Sequence, residues 1–126
     1  MTATATPAEQ PLARLVLDAL ADAKAGDPVV LDVRGLSTLT DAMIVASGTS
    51  DRQLRTLAER VGERARSHGH PPLGTEGERG GEWILVDLGE VVVHLMLPRV
   101  RVLYRLESLW RPGGEDTGEE EEGRGA

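Results

Sequence analysis

The stretch Leu31-Asp-Val-Arg-Gly-Leu-Ser-Thr-Leu-Thr-Asp-Ala-Met-Ile-Val-Ala-Ser-Gly-Thr-Ser50 decides the fold. Its first residues close a β-branched run, Pro28 to Arg34, that stops at Gly35. A polar turn, Ser37 to Asp41, leads into Ala42-Met-Ile-Val-Ala46, a second run without a polar residue. Both runs are near-continuously apolar, the pattern of strands inside a sheet. Gly48 to Gln53 then opens a helix: Ser50 followed by Gln53 fits a capping box, and Asp51 suits the positive end of the helix dipole.

Working outward, residues 8–25 place Leu12, Leu15, Val16, Ala19, Leu20 and Ala23 at helical spacing, with Gly26 as the stop. Downstream of Ser50, Leu54, Leu57, Ala58, Val61 and Ala65 form the buried stripe of a second helix that ends at Gly69. Residues 70–81, with two prolines and four glycines, read as a loop. Glu82 to Leu88 and Val91 to Leu97 read as a β-hairpin. A Leu88-Gly89 loop sets Trp83 opposite His94 and Asp87 opposite Glu90. Facing like charges are unfavourable, so a longer turn with shifted pairing is equally acceptable. After Pro98, Arg99 to Trp110 forms a last helix with Leu103, Leu106 and Trp110 on one stripe. The order is α-β-β-α-β-β-α, an α+β domain with a mixed sheet and helices packed on it. The expected organisation is a disordered N-terminus over residues 1–8, one domain over 9–112 and an acidic disordered tail over 113–126.

The chain has 126 residues, no cysteine and a formal net charge of −7. That length can bury a core without disulfides or metals. The missing cysteines exclude a disulfide framework, a cysteine-based zinc site and a thiol nucleophile. No apolar run approaches the roughly 20 residues of a membrane helix, and the start lacks a signal-peptide pattern, so a cytoplasmic location without membrane contact is expected. The charge is uneven. Six acids and one base lie in residues 113–126, which leaves 15 acids and 13 bases in residues 1–112, a body net charge of −2. Bulk acidity argues against general nucleic-acid binding. The basic residues are 13 Arg and one Lys, a skew read as codon bias before it is read as a binding device.

Catalytic constellations are sparse. Gly48-Thr49-Ser50 lies between strand and helix, as the Gly-Ser helix start of nucleotidyltransferase-like folds does. It lacks the further glycines and lysine of a phosphate-cradling loop. The next strand offers Asp87 alone, with Glu90 beyond the turn, and so no side-by-side carboxylate pair for two metals. His68 and His70 near Glu76 and Glu78 sit where a helix ends in a Gly/Pro loop, a poor scaffold for zinc. His94 is mid-strand without an obvious Ser or Asp beside it, and Asp32 and Asp41 read as solvated surface acids. No cofactor, metal or catalytic residue is expected.

The positive signal is a patch. The hairpin alternation puts Ile84, Val86, Val93 and Leu95 under helices and Trp83, Leu85, His94 and Met96 on the opposite face. Left uncovered, that face has the make-up of a protein interface, with Trp83 as its strongest anchor. Covered by the last helix, it is core, with Trp83 meeting Tyr104. The sequence leaves both open.

Residues 31–50, together with Pro72-Leu-Gly-Thr-Glu-Gly-Glu78, Trp83-Ile-Leu-Val-Asp-Leu-Gly-Glu-Val-Val-Val-His94 and Leu103-Tyr-Arg-Leu-Glu-Ser-Leu-Trp110, resemble the signature of the ribosomal silencing factor, or iojap-related, family. The match runs from about residue 10 to residue 111, and several separated motifs in order make it specific. The resemblance implies a nucleotidyltransferase-like α/β sandwich with no catalytic role. It implies binding to ribosomal protein fourteen of the large subunit, which hinders joining of the small subunit and dampens translation. It also implies large-subunit assembly roles among organellar relatives, and frequent homodimers. Matched to the family's hairpin, Trp83 and Met96 are the expected apolar anchors, with His94 beside them. Glu76, Glu78 and Asp87 are the expected acidic rim, and Tyr104 a further contact. Where relatives often carry a polar or acidic stretch before the last helix, this chain has Pro98-Arg-Val-Arg-Val102, a more basic edge.

Overall fold

The computed structural model describes residues 10–35 and 39–105. The element order is α1 (Pro11–Asp22), β1 (Gly26–Asp32), β2 (Ala42–Ser47), α2 (Asp51–Ser67), β3 (Gly74–Glu76), β4 (Trp83–Asp87), β5 (Val91–Met96) and α3 (Pro98–Tyr104). The strands form one sheet in the order β1-β2-β5-β4-β3. Among the described strands only the β2–β5 pair is parallel, because α2 and the β3–β4 segment carry the chain across the sheet between them. The expected α+β class with a mixed sheet holds. One strand was not foreseen: β3, three exposed residues inside the Gly/Pro loop, too short and too polar to announce itself.

Helix ends follow side-chain chemistry. α1 starts later than the periodicity predicts. Gln10 caps it by accepting the Ala13 N–H at 2.8 Å, and Pro11 occupies a position where no N–H is needed. It also stops before Gly26. Lys24 takes the left-handed conformation with φ 64°, while Ala25 N–H donates to Leu20 O at 2.9 Å and Lys24 N–H to Ala21 O at 3.0 Å. That is a Schellman stop built on lysine instead of glycine, so Gly26 is free to begin β1. For α2 the Ser50 hydroxyl accepts the Gln53 N–H at 3.1 Å as predicted. The returning Gln53 amide oxygen passes Ser50 and accepts the Thr49 N–H at 2.6 Å and hydroxyl at 3.0 Å.

The hairpin pairing differs from that of a Leu88-Gly89 loop. Trp83 faces Met96, Leu85 faces His94 and Asp87 faces Val92. The turn is Gly89-Glu90, closed by Leu88 N–H donating to Val91 O at 2.9 Å, with Gly89 at φ 88° in its first central position. A primed turn suits the strand twist, and the pairing removes the Asp87–Glu90 opposition. Because the slip is two residues, every side chain keeps its predicted face.

Two apolar clusters result. The larger lies between the sheet and helices α1 and α2, and contains Ile44, Val86, Val93 and Leu95 against Leu12, Leu20, Leu57 and Val61. The ends of those helices are pinned by Arg64 to Asp22 at 2.6 Å. The smaller cluster, on the other face, gathers Leu31, Val45, Met96 and Val100, with Val29, Met43, Trp83 and Leu97 packed against it. α3 ends at Tyr104, where Arg105 turns left-handed with φ 51°, short of the Trp110 expected from the sequence; Leu106 and Trp110 of the expected stripe lie outside the described residues. Leu103, the remaining member, is 73% exposed.

Candidate functional site: a half-covered sheet face

Register alone places the face. Val29, Val45, His94, Leu85 and Glu76 lie in one row across the five strands. Two residues along, a second row holds Leu31, Met43, Val92, Asp87 and Gly74; two residues the other way, a third holds Ser47, Met96 and Trp83. Alternating rows point to opposite sides, so all three share the face turned away from α1 and α2. Five of the expected site residues, Trp83, Met96, His94, Glu76 and Asp87, thus stand on one surface. Glu78 sits exposed in the turn after β3, which no strand register places.

α3 covers one end of this face, which resolves the two alternatives into a division. Val100 seats on Met96, and the Tyr104 ring lies against Trp83 with centroids 4.8 Å apart. Met96 is fully buried, so it supports the patch from beneath and is not an exposed anchor. Trp83 remains half-buried, and Tyr104 is 54% exposed. At the uncovered end Met43, Leu85 and Val92 are half-buried with Glu76 at the rim. Met43 and Val92 were missed by motif reading; the period of two along a strand, which puts Val92 on the face of His94 and Met43 on that of Val45, was the available signal. Asp87 spends one carboxylate oxygen on the Gly89 N–H at 2.9 Å, so it closes the hairpin as well as edging the patch.

The arginines that make this end basic hold α3 in place. Arg99 pairs with Glu82 at 2.8 Å, and Arg101 donates to the Ser47 hydroxyl at 3.0 Å and to Gly26 O at 3.4 Å. Both Arg99 and Glu82 are well exposed, so their pair contributes modestly.

His94 is the most constrained polar group of the face. It is 7% exposed, and its Nδ1 accepts the Trp83 indole N–H at 2.9 Å. Indole nitrogen only donates, so the imidazole is neutral with its proton on Nε2. Burial pushes its pKa down to about 4. Among the described residues no group of three or more His, Asp or Glu side chains could hold a metal ion, and Gly48 sits against the Leu54 side chain at the capped start of α2. No helix among the described residues is long and apolar enough to cross a membrane.

The fold recurs in known proteins along with the sequence. The family model "Ribosomal silencing factor during starvation" matches residues 5–124. This chain belongs to the ribosomal silencing factor family. Among relatives, the ribosomal silencing factor RsfS of Chromobacterium violaceum is 45% identical over 106 residues, 84% of this chain and 85% of that protein. The Haemophilus influenzae RsfS is 39% identical over 79% of this chain and 97% of its own length. A mouse protein, "Mitochondrial assembly of ribosomal large subunit protein 1", is 32% identical over 76% of this chain and 43% of its own. The crystal structure of a Chromobacterium violaceum protein superposes with a TM-score of 0.78 at 46% identity, covering 80% of this chain and 84% of that one. The family match reaches beyond residue 111, into the acidic tail.

Proposed function

We propose that this chain is a non-enzymatic regulator of translation that binds the large ribosomal subunit through ribosomal protein fourteen and hinders joining of the small subunit. The observation that carries the reading is the family match over residues 5–124, shared with relatives named ribosomal silencing factor. The surface supports it. Trp83 and Tyr104, with Met43, Leu85 and Val92 on the same face, form an apolar centre edged by the acids Glu76 and Asp87, with Glu78 exposed in the turn after β3, which suits a basic ribosomal protein. A cytoplasmic site of action accompanies a ribosomal partner. A homodimer through the same face would compete with that partner.

The test is co-sedimentation of the purified chain with isolated large subunits, followed by a subunit-joining assay. Trp83→Ala is expected to weaken binding by about 2 kcal/mol or more if Trp83 is a hot spot. Full binding by Trp83→Ala and Tyr104→Ala together would move the site elsewhere. A nucleotide-binding enzyme at Gly48-Thr49-Ser50 predicts heat on titration with nucleotide and magnesium, where the regulator predicts none. A second reading, assembly of the large subunit, is favoured by the name of the mouse relative. Accumulation of precursor particles in a deletion strain, with subunit joining unaffected, would select it.

A further inference from the structure

We infer that His94 is a positioning residue of the docking face: its Nδ1 holds the Trp83 indole in the orientation in which Trp83 and the adjoining Tyr104 ring meet a partner. The inference rests on the docking reading proposed above. His94 was expected beside the anchors as a contact of its own, but at 7% exposure it offers a partner little area. Its place in the sheet explains what it does instead. β5 runs between β2 and β4, and His94 is flanked in its row by Val45 and Leu85, so the imidazole is held on both sides. Trp83 starts β4 two pairs further on, on the same face, diagonal to His94 and opposite Met96. An indole at a strand's first residue has freedom to turn about its χ angles. The 2.9 Å bond to Nδ1 and the 4.8 Å contact with Tyr104 remove it from two sides. Pre-orienting a large aromatic anchor lowers the ordering cost of docking.

The geometry also dictates which atom matters. An acceptor is required at the Nδ1 position, and an asparagine amide oxygen can take that place, whereas glutamine sets its amide at the Nε2 position. In the full chain, His94→Asn is expected to bind purified large subunits within about threefold of wild type, and His94→Gln to bind roughly tenfold or more weakly. In nuclear magnetic resonance spectra of the wild type, the Trp83 indole proton, assigned with Trp110→Phe, should exchange slowly and show scalar coupling to an imidazole nitrogen. Equal losses in both variants, or wild-type binding by His94→Gln, would reduce His94 to a structural residue and overturn the inference. So would a freely exchanging, uncoupled Trp83 indole proton. Should His94→Gln not melt cooperatively, Trp83→Phe decides: it keeps a ring but lacks the N–H donor, and its binding at wild-type strength overturns the proposal. If the wild-type chain does not sediment with large subunits, the docking reading fails and takes the positioning role with it. Loss of the indole coupling with wild-type binding intact removes the positioning role alone.

Discussion

At the scale of single residues, two side chains nominated together end in different roles. Met96 and Trp83 face each other across the hairpin, yet Met96 is sealed beneath Val100 while Trp83 keeps part of its ring in solvent. Met96→Ala is therefore expected to cost about 2–4 kcal/mol of stability, read from denaturant unfolding, with binding lost only as far as the fold loosens. His94 makes stability depend on pH. Burial lowers its folded-state pKa from 6.5 to about 4, so between those values the unfolded chain binds the extra proton. Its contribution is complete above about pH 6.5 and drains as pH falls toward 4, by up to ~3 kcal/mol. The acids on its face, Glu76 at the far end of its row and Asp87 one row away, and the α3 arginines across from it do not enter as causes of the shift. Unfolding free energies measured from pH 7.5 to 4 should show the decline in wild type and a flatter profile in His94→Asn.

At the scale of elements, the caps determine where helices begin and end. Ser50→Ala removes the acceptor for the Gln53 N–H and is expected to destabilise by about 1 kcal/mol. Thermal melting compared with Ser50→Thr, which keeps the hydroxyl, isolates the cap. α1, α2 and four of the five strands were legible because their apolar periodicity exceeds any competing signal. β3 was not, since its three residues carry no alternation, and it forms because Leu73 and the following backbone pair with β4. The α1 stop was misplaced by two residues of turn geometry that a lysine, against its propensity, adopts in place of glycine. The hairpin register was ambiguous because slips of two residues leave every side chain on its own face, and only the Gly89-Glu90 turn closes the choice.

At the scale of the whole molecule, the charge is concentrated at one end. Residues 113–126 hold six acids and one base of a chain whose net charge is −7, and the domain is expected to end at residue 112. A chain ending at Pro112 is expected to melt within about 2 °C of the full chain while eluting much earlier from an anion exchanger. A larger loss of melting temperature would make the tail part of the domain. The sequence by itself determined the α+β class, the identities of α1, α2 and four of the five strands, the face on which each hairpin residue stands and, through its motif series, the family. Those follow from period, capping and local chemistry, which are encoded in neighbouring residues. The tertiary structure alone decided how much of the second sheet face is covered, that Met96 lies inside while Trp83 and Tyr104 stay partly outside, and that Glu76 joins the row of His94. These depend on where α3 and β3 land, and that placement comes from long-range pairing and packing that no local pattern contains.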